Sequence, residues 1–146
     1  MKREIKFRGK KIDTQQWVYG GFHLHEKVQL CGLSLTKEDA EKNKVHLIVS
    51  DKMADWNMPK DIEAHTIIPD TIGQFTGVVD KNGKEIYEDD ILTQGEKNYM
   101  VSFRNGGFWI INHYGTAAYQ LCKGEIDEFE FEVIGNIHDN PDLING

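Results

Sequence analysis

Tyr99 to Asn112 reads YMVSFRNGGFWIIN, and its reading decides the fold class. In an extended chain successive side chains alternate faces, so Tyr99, Val101 and Phe103 share one face. The run RNGG carries turn chemistry, and FWIIN brings the chain back as a second apolar run. Two apolar runs joined by an Asn-Gly turn predict a β-hairpin.

The same grammar extends outward. In DEFEFEVIG, Phe129, Phe131 and Val133 alternate with Glu130 and Glu132, which predicts a half-buried strand with an acidic outer face. In EIKFRG, Ile5 and Phe7 oppose Lys6 and Arg8. QWVYGGFHLHEKVQL reads as a pair of strands, with Gly20-Gly21 permitting a bend or bulge. Thr36 to Lys44 (TKEDAEKNK) is the helix candidate, with Thr36 as cap and Asp39 at the capping-box position. VHLIVS follows as a strand, and Asp51 to Glu63, aperiodic and containing Pro59, as a loop. Short strands with one modest helix predict a mainly β fold, a small barrel-containing β domain or packed sheets. The expected organisation is a single domain over residues 1–146, with Asp51 to Glu63 as a variable excursion.

Net charge is −7, with 39% hydrophobic and 28% charged residues. An acidic body of this kind disfavours nonspecific phosphate-backbone binding. Yet Lys2, Arg3, Lys6, Arg8, Lys10 and Lys11 place six of the seventeen Lys and Arg residues at the start, while Glu125 to Asp142 holds seven acids and no Lys or Arg. Pairing of the two oppositely charged terminal segments is expected. No run approaches the ~18 apolar residues of a membrane span, and no apolar segment follows the basic start, so neither a signal peptide nor a membrane association is expected. Cys31 and Cys122 lack CxxC or framework spacing, and free thiols in a reducing cytoplasm follow.

DKNGKEIYEDD, Asp80 to Asp90, offers three chemistries. As a calcium loop it fails: with Gly83 sixth, Val78 would be the first ligand, and with Asp80 first, Glu85 would stand where glycine belongs. As a carboxylate site it needs acids converging from elsewhere, because Glu88, Asp89 and Asp90 diverge on an extended chain. As a turn it works: Asn82-Gly83 suits the paired positive φ angles of a type I′ hairpin between Val78-Val79 and Ile86-Tyr87, the charges keeping its tip in water.

His23 and His25 share a strand face and could ligate zinc or iron, with a third ligand from His46, His65, His113 or the acids of 85–90. Two half-exposed strand histidines are the simpler reading. Cys122 beside Lys123 is a candidate nucleophile, and more simply a small hydrophobe. Trp17, Tyr19, Phe22, Phe108, Trp109 and Tyr114 would serve as core or as a stacking platform for single strands. GxGxxG, P-loop, GxSxG and HExxH signatures are absent, so no catalytic residue, metal site or cofactor is assigned and a non-enzyme is expected.

Three passages together, REIKFRGK…WVYG, TIGQFTGVVDKNGKEIYEDDIL and FEVIGNIHDNPDL, resemble the YopX family of phage and prophage proteins. The resemblance runs from Arg3 to Leu143 and is weakest over residues of about 34–64, which it implies to be a variable insertion in the single domain. It implies a mainly β, barrel-containing fold and a phage or prophage origin in a bacterial host, with no catalytic residues to carry over. The family's usual YEGDI has Gly where this chain has Asp89; if that Gly adopts φ > 0, Asp89 is one of the few non-Gly residues able to follow it, at some cost, so the departure leaves the backbone geometry there open. The leading functional expectation is a non-enzymatic accessory module binding a host or phage protein through an exposed face or sheet edge, which would also favour self-association. The alternatives are nucleic-acid contact through Lys2, Arg3, Lys6, Arg8, Lys10 and Lys11, and a metal-dependent enzyme built on His23, His25 and the acids of 85–90.

Overall fold

A computed structural model describes residues 2–28, 36–58 and 60–144. The chain divides into two compact units, one of Lys6–Ile72 and one of Met1–Ile5 with Gly73–Gly146.

The first unit contains β1 (Phe7–Lys10), β2 (Trp17–Glu26), α1 (Lys37–Lys42), β3 (Lys44–Asp51) and β4 (Ile62–Thr66). Its strands run antiparallel in the order β4-β3-β2-β1. The expected helix is present: the Thr36 hydroxyl accepts from the Asp39 N–H while the Asp39 carboxylate accepts from the Thr36 N–H, a capping box with Asp in the role usual for Glu.

The predicted pair of strands around Gly20-Gly21 is instead one ten-residue strand that changes partner there. Gly20 pairs with Phe7 of β1, and Gly21 with Val49 of β3. A Cβ on Gly20 would lie 2.1 Å from the Val49 carbonyl oxygen, so β2 and β3 approach too closely for any side chain. The same atom on Gly21 would be 4.0 Å from that oxygen. The doublet therefore serves a close approach where the strand passes from one neighbour to the next.

The second unit contains β5 (Gly73–Val79), β6 (Glu85–Tyr87), β7 (Asp90–Gln94), β8 (Lys97–Arg104), β9 (Gly107–Ile111), β10 (Ala117–Gln120), α2 (Lys123–Phe129) and β11 (Glu132–Asn136). β5 and β6 form a hairpin, and the remaining strands form a sheet ordered β10-β9-β8-β7-β11. The fold is mainly β, as expected, but the barrel is not formed. The five-stranded sheet ends in two different edges, β10 and β11, and in the first unit a lone Lys11–Ile67 bridge stands where closure would require a ladder.

The hairpin at 99–112 is present. Arg104 pairs with Gly107, and both Asn105 (φ 50°) and Gly106 (φ 80°) are left-handed, as a type I′ turn requires. Tyr99 and Val101 are buried, whereas Phe103 is half out and packs on Phe108. The stretch DEFEFEVIG departs from the expected strand. Its start belongs to α2, which ends at left-handed Glu130 (φ 53°), and only from Glu132 does the chain run as β11. Phe129, Phe131 and Val133 still face inward, since the αL residue turns the chain without exchanging its buried side. They join Ile86, Leu92, Tyr99, Val101, Ile110, Leu121 and Ile126 around this unit's core. In the strand ladders β1 pairs with β2 and β11 with β7.

Gly20→Ala forces backbone to move and should cost roughly 1–3 kcal/mol, the usual toll of overpacking. Gly21→Ala should fall within about 0.5 kcal/mol of wild type. Chemical denaturation of the two variants separates them, and equal losses would contradict the close-approach account.

Candidate functional site

The acids of 80–90 are where the sequence concentrates its chemistry, and the structure commits them to the fold. The Asp80 N–H donates to the Lys84 carbonyl and the Gly83 N–H to the Asp80 carbonyl. Gly83 is left-handed (φ 82°) while Asn82 is not. The tip is therefore a type I turn closed by a glycine bulge, not the expected type I′ turn. The two Asn-Gly pairs of this chain make different turns because loop length differs: two residues at 105–106, three at 81–83.

Nor is the tip held in water by all its charges. Asp80 is 2% exposed. One carboxylate oxygen accepts from the N–H groups of Asn82 and Lys84 at 2.8 and 2.9 Å, and the other from the Val133 N–H at 3.0 Å. Burial acts to raise the pKa of this carboxyl, but the N–H groups of Val133, Lys84 and Asn82, helped by the Lys84 charge, hold it below the ordinary Asp value. Lys81 adds a backbone bond to the Phe131 carbonyl and a 2.9 Å ion pair with Glu132.

The remaining acids of this stretch follow suit. The Tyr87 hydroxyl donates to Glu85, and the buried Asp90 carboxylate accepts from the Tyr87 N–H at 2.8 Å. Burial, together with the Asp89 charge, pushes the Glu88 carboxyl above its ordinary value, opposed by the N–H groups of Gln74 and Phe103.

Asp89 stands at φ 67°, in the left-handed conformation, where the resembling family has Gly. Its backbone is fastened on both sides, its N–H donating to the Val101 carbonyl and its carbonyl accepting from the Ile137 N–H. Its carboxylate lies 3.2 Å from Nε2 of His138. His138 in turn sits in a turn organised by Asn136, whose side-chain oxygen accepts from the N–H groups of His138 and Asp139. YEDD and GNIHDNP, 49 residues apart at this contact, thus meet. Sequence reasoning had passed over His138. The available signal was that both passages carry the family resemblance.

The other predicted residues are distributed differently. His23 and His25 are exposed with ring centroids 6.1 Å apart. His46 pairs opposite Leu24 and His65 opposite Ile48, so both lie on the other face of the sheet. Among the described residues, no three His, Cys, Asp or Glu side chains converge in a metal-binding group. Cys122 is an exposed free thiol, and Cys31 lies outside the described residues.

Of the basic set, Lys2, Arg3 and Lys6 precede β1. Arg8 is 7% exposed and stacks on the Trp17 ring at 4.6 Å, with Lys10 5.5 Å from the same ring. Lys11 lines a surface cleft with Asp13 and His65. Trp17, Tyr19 and Phe22 belong to the first unit, Phe108, Trp109 and Tyr114 to the second.

Among the described residues, the two most exposed large apolar side chains, Met53 and Trp56, lie elsewhere, in the loop between β3 and β4 with Met58. Met53 is 96%, Trp56 91% and Met58 62% exposed. Lys52, Met53, Ala54, Asp55, Met58 and Asp61 line a surface cleft of about 400 Å³ there. No helix among the described residues is long and apolar enough to cross a membrane.

A family model described as YopX protein matches residues 6–145. The crystal structure of protein EF1440 from Enterococcus faecalis is similar over 97% of this chain and 99% of that one, with a TM-score of 0.55 and 19% sequence identity. At that identity the likeness concerns the fold alone. No curated protein matches the chain.

Asp80 and Glu88 predict opposite pH effects. A depressed folded-state pKa gives Asp80 stabilisation that is present above the ordinary Asp value and is lost as pH falls through the folded value. A raised folded-state pKa means Glu88 costs stability as pH rises from the ordinary Glu value through the folded one. In denaturation at stepped pH, Asp80→Asn should flatten the acid-side loss and lower neutral stability by about 1–3 kcal/mol. Glu88→Gln should remove the decline on rising pH. An unchanged profile in either variant would contradict its assignment.

At Asp89, Gly should relieve about 1 kcal/mol of backbone strain while losing a pair worth about 0.2–1 kcal/mol. Asp89→Gly is therefore expected near wild type and Asp89→Ala about 1 kcal/mol below Asp89→Gly. Equal stability of the Gly and Ala variants would contradict the positive-φ account.

Proposed function

Because the chain belongs to the YopX protein family, we propose that it is a phage-type accessory protein whose work is non-enzymatic binding of a host or phage protein. One observation carries this reading: Trp56, flanked by Met53 and Met58, stands almost wholly in water. An exposed Trp forgoes the roughly 1.5–3 kcal/mol that burying a large apolar side chain brings, and its own fold offers no compensation. Trp is the commonest anchor of protein interfaces, and Met supplies a surface that adapts to its partner.

The composition of the loop supports the same reading. Asp51, Asp55 and Asp61 flank the apolar residues with Lys52 and Lys60, giving a small apolar centre with a charged rim. The acids of 85–90, by contrast, are each engaged in holding the chain.

The test compares wild type with Trp56→Ser and with Met53→Ser/Trp56→Ser, as bait for quantitative affinity capture from infected and uninfected host cells. Since these side chains contact solvent, unfolding free energies should agree within about 0.5 kcal/mol. A protein retained by wild type and lost from both variants is the expected result, checked by direct titration of that purified protein. Binding that ignores both substitutions would contradict the reading. So would tight, steeply salt-dependent binding of a single-stranded oligonucleotide, which would transfer the function to the basic segment.

A further inference from the structure

β4 is paired on one side by β3, and its other side is open along most of its length. The Lys52 N–H donates to the Asp61 carbonyl and the Ile67 N–H to the His46 carbonyl, so the odd-numbered residues bond toward β3. From the opposite side the Ile12 N–H donates to the Thr66 carbonyl. By alternation, Ile62 and Ala64 aim N–H and C=O away from the sheet. Both are exposed, and no described residue pairs with these groups. The register against β3 is unbroken, and Ile62–Thr66 contains no Pro, Lys or bulge, its one acidic residue being Glu63.

We propose that this edge accepts, as an added antiparallel strand, an extended segment of a partner protein in which cationic and apolar residues alternate. The proposal rests on the reading of the chain as a protein-binding module and names the class of partner. Asp61 and Glu63 present carboxylates on one face of the edge, with His65 3.2 Å from Glu63. Ile62, 75% exposed, and Ala64 present apolar surface on the other. Residues opposite Asp61 and Glu63 occupy non-hydrogen-bonded positions, where side chains approach most closely, and Lys or Arg complements both. Residues opposite Ile62 and Ala64 occupy hydrogen-bonded positions and face apolar surface. The net charge of −7 acts in the same direction.

A cleft of about 510 Å³ lined by Lys11, Ile12, Asp13, Ala64, His65 and Thr66 receives the end of that strand, since Ile12 already occupies the Thr66 carbonyl. A second copy of this chain fits less well in each antiparallel register. Centred on Ala64, β4 against β4 brings the second Ile62 to the place held by Ile12. Centred on Glu63 it opposes Glu63 to itself, and centred on Ile62 it opposes Asp61 to Glu63.

The test uses an acetylated, amidated Lys-Val-Lys-Val-Lys-Val-Lys peptide, titrated against the full chain while backbone amide signals of Ile62 and Ala64 are followed by NMR. In the proposed ladder the Val N–H groups donate to β4 and the Lys N–H groups face away. N-methylation of Val should weaken binding by about tenfold or more, the loss of charge-flanked backbone bonds, and N-methylation of Lys should leave it within about threefold. Glu63→Lys and Ile62→Lys, two surface changes, should each weaken binding, and the amides of Ile62 and Ala64 should become protected from exchange. Equal loss from both methylation patterns, unchanged exchange at Ile62 and Ala64, or concentration-dependent dimerisation abolished by Ile62→Lys would each overturn the proposal. If these fail while Trp56→Ser still abolishes capture of a partner, the protein-binding reading stands and the edge assignment falls.

Discussion

The second unit depends on where one carboxylate is buried. Asp80 closes its own turn through Asn82 and Lys84 and reaches across 53 residues to the Val133 N–H. The β5–β6 hairpin and the start of β11 are thereby tied at a point where neither could satisfy its backbone alone. A neutral hydrogen-bonding group would join two elements. An ionised one accepting three N–H groups joins them more strongly and in one geometry, because charge-assisted bonds are shorter and stronger. Lys81 reinforces the junction through the Phe131 carbonyl and Glu132. With β11 held, Phe131 and Val133 enter the core beside Tyr99 and Ile86.

The same junction explains why a charged tip is not simply a solubilising tip. In the sequence, Asp80 is indistinguishable from Lys81 or Lys84 as a polar turn residue, and nothing local announces a partner at Val133. Long-range hydrogen bonding leaves no periodic trace. Alternation and turn chemistry do, which is why the hairpin of 99–112, the capped helix at Thr36 and the inward set Phe129, Phe131 and Val133 were legible. Closure was not: whether strands end in a barrel or at free edges depends on pairings between distant segments, and short strands are compatible with both. The end of α2 was hidden for a related reason, since alternating Phe and Glu satisfy a strand pattern and one left-handed residue preserves the inward side.

The candidate site was legible in the same uneven way. The glycine of the resembling family raised the question of the backbone at Asp89, but its positive φ and its contact with His138 both required the fold. The basic start looked like a patch in one dimension. In three, Arg8 and Lys10 turn toward the Trp17 ring, and a cation spent on an aromatic face is less available to a phosphate. The exposed Trp56 lay in a segment whose lack of periodicity identified a loop and nothing more. Exposure is set by what the rest of the chain fails to cover, so no local pattern encodes it.

Acids and apolar residues therefore divide the labour differently from what their sequence clustering implies. The dense acidic stretch of 80–90 is internal scaffolding, with each carboxylate answered by a backbone N–H, a hydroxyl or a histidine. Among the described residues, the first unit leaves Trp56 in water and, at Ile62 and Ala64, an edge whose outward N–H and C=O groups no described residue pairs. The buried acids are thus answered within the chain, while an aromatic ring and a strand edge stay in water. Substitutions at Trp56 or Ile62 leave in place the three N–H groups, of Asn82, Lys84 and Val133, that hold the Asp80 carboxylate.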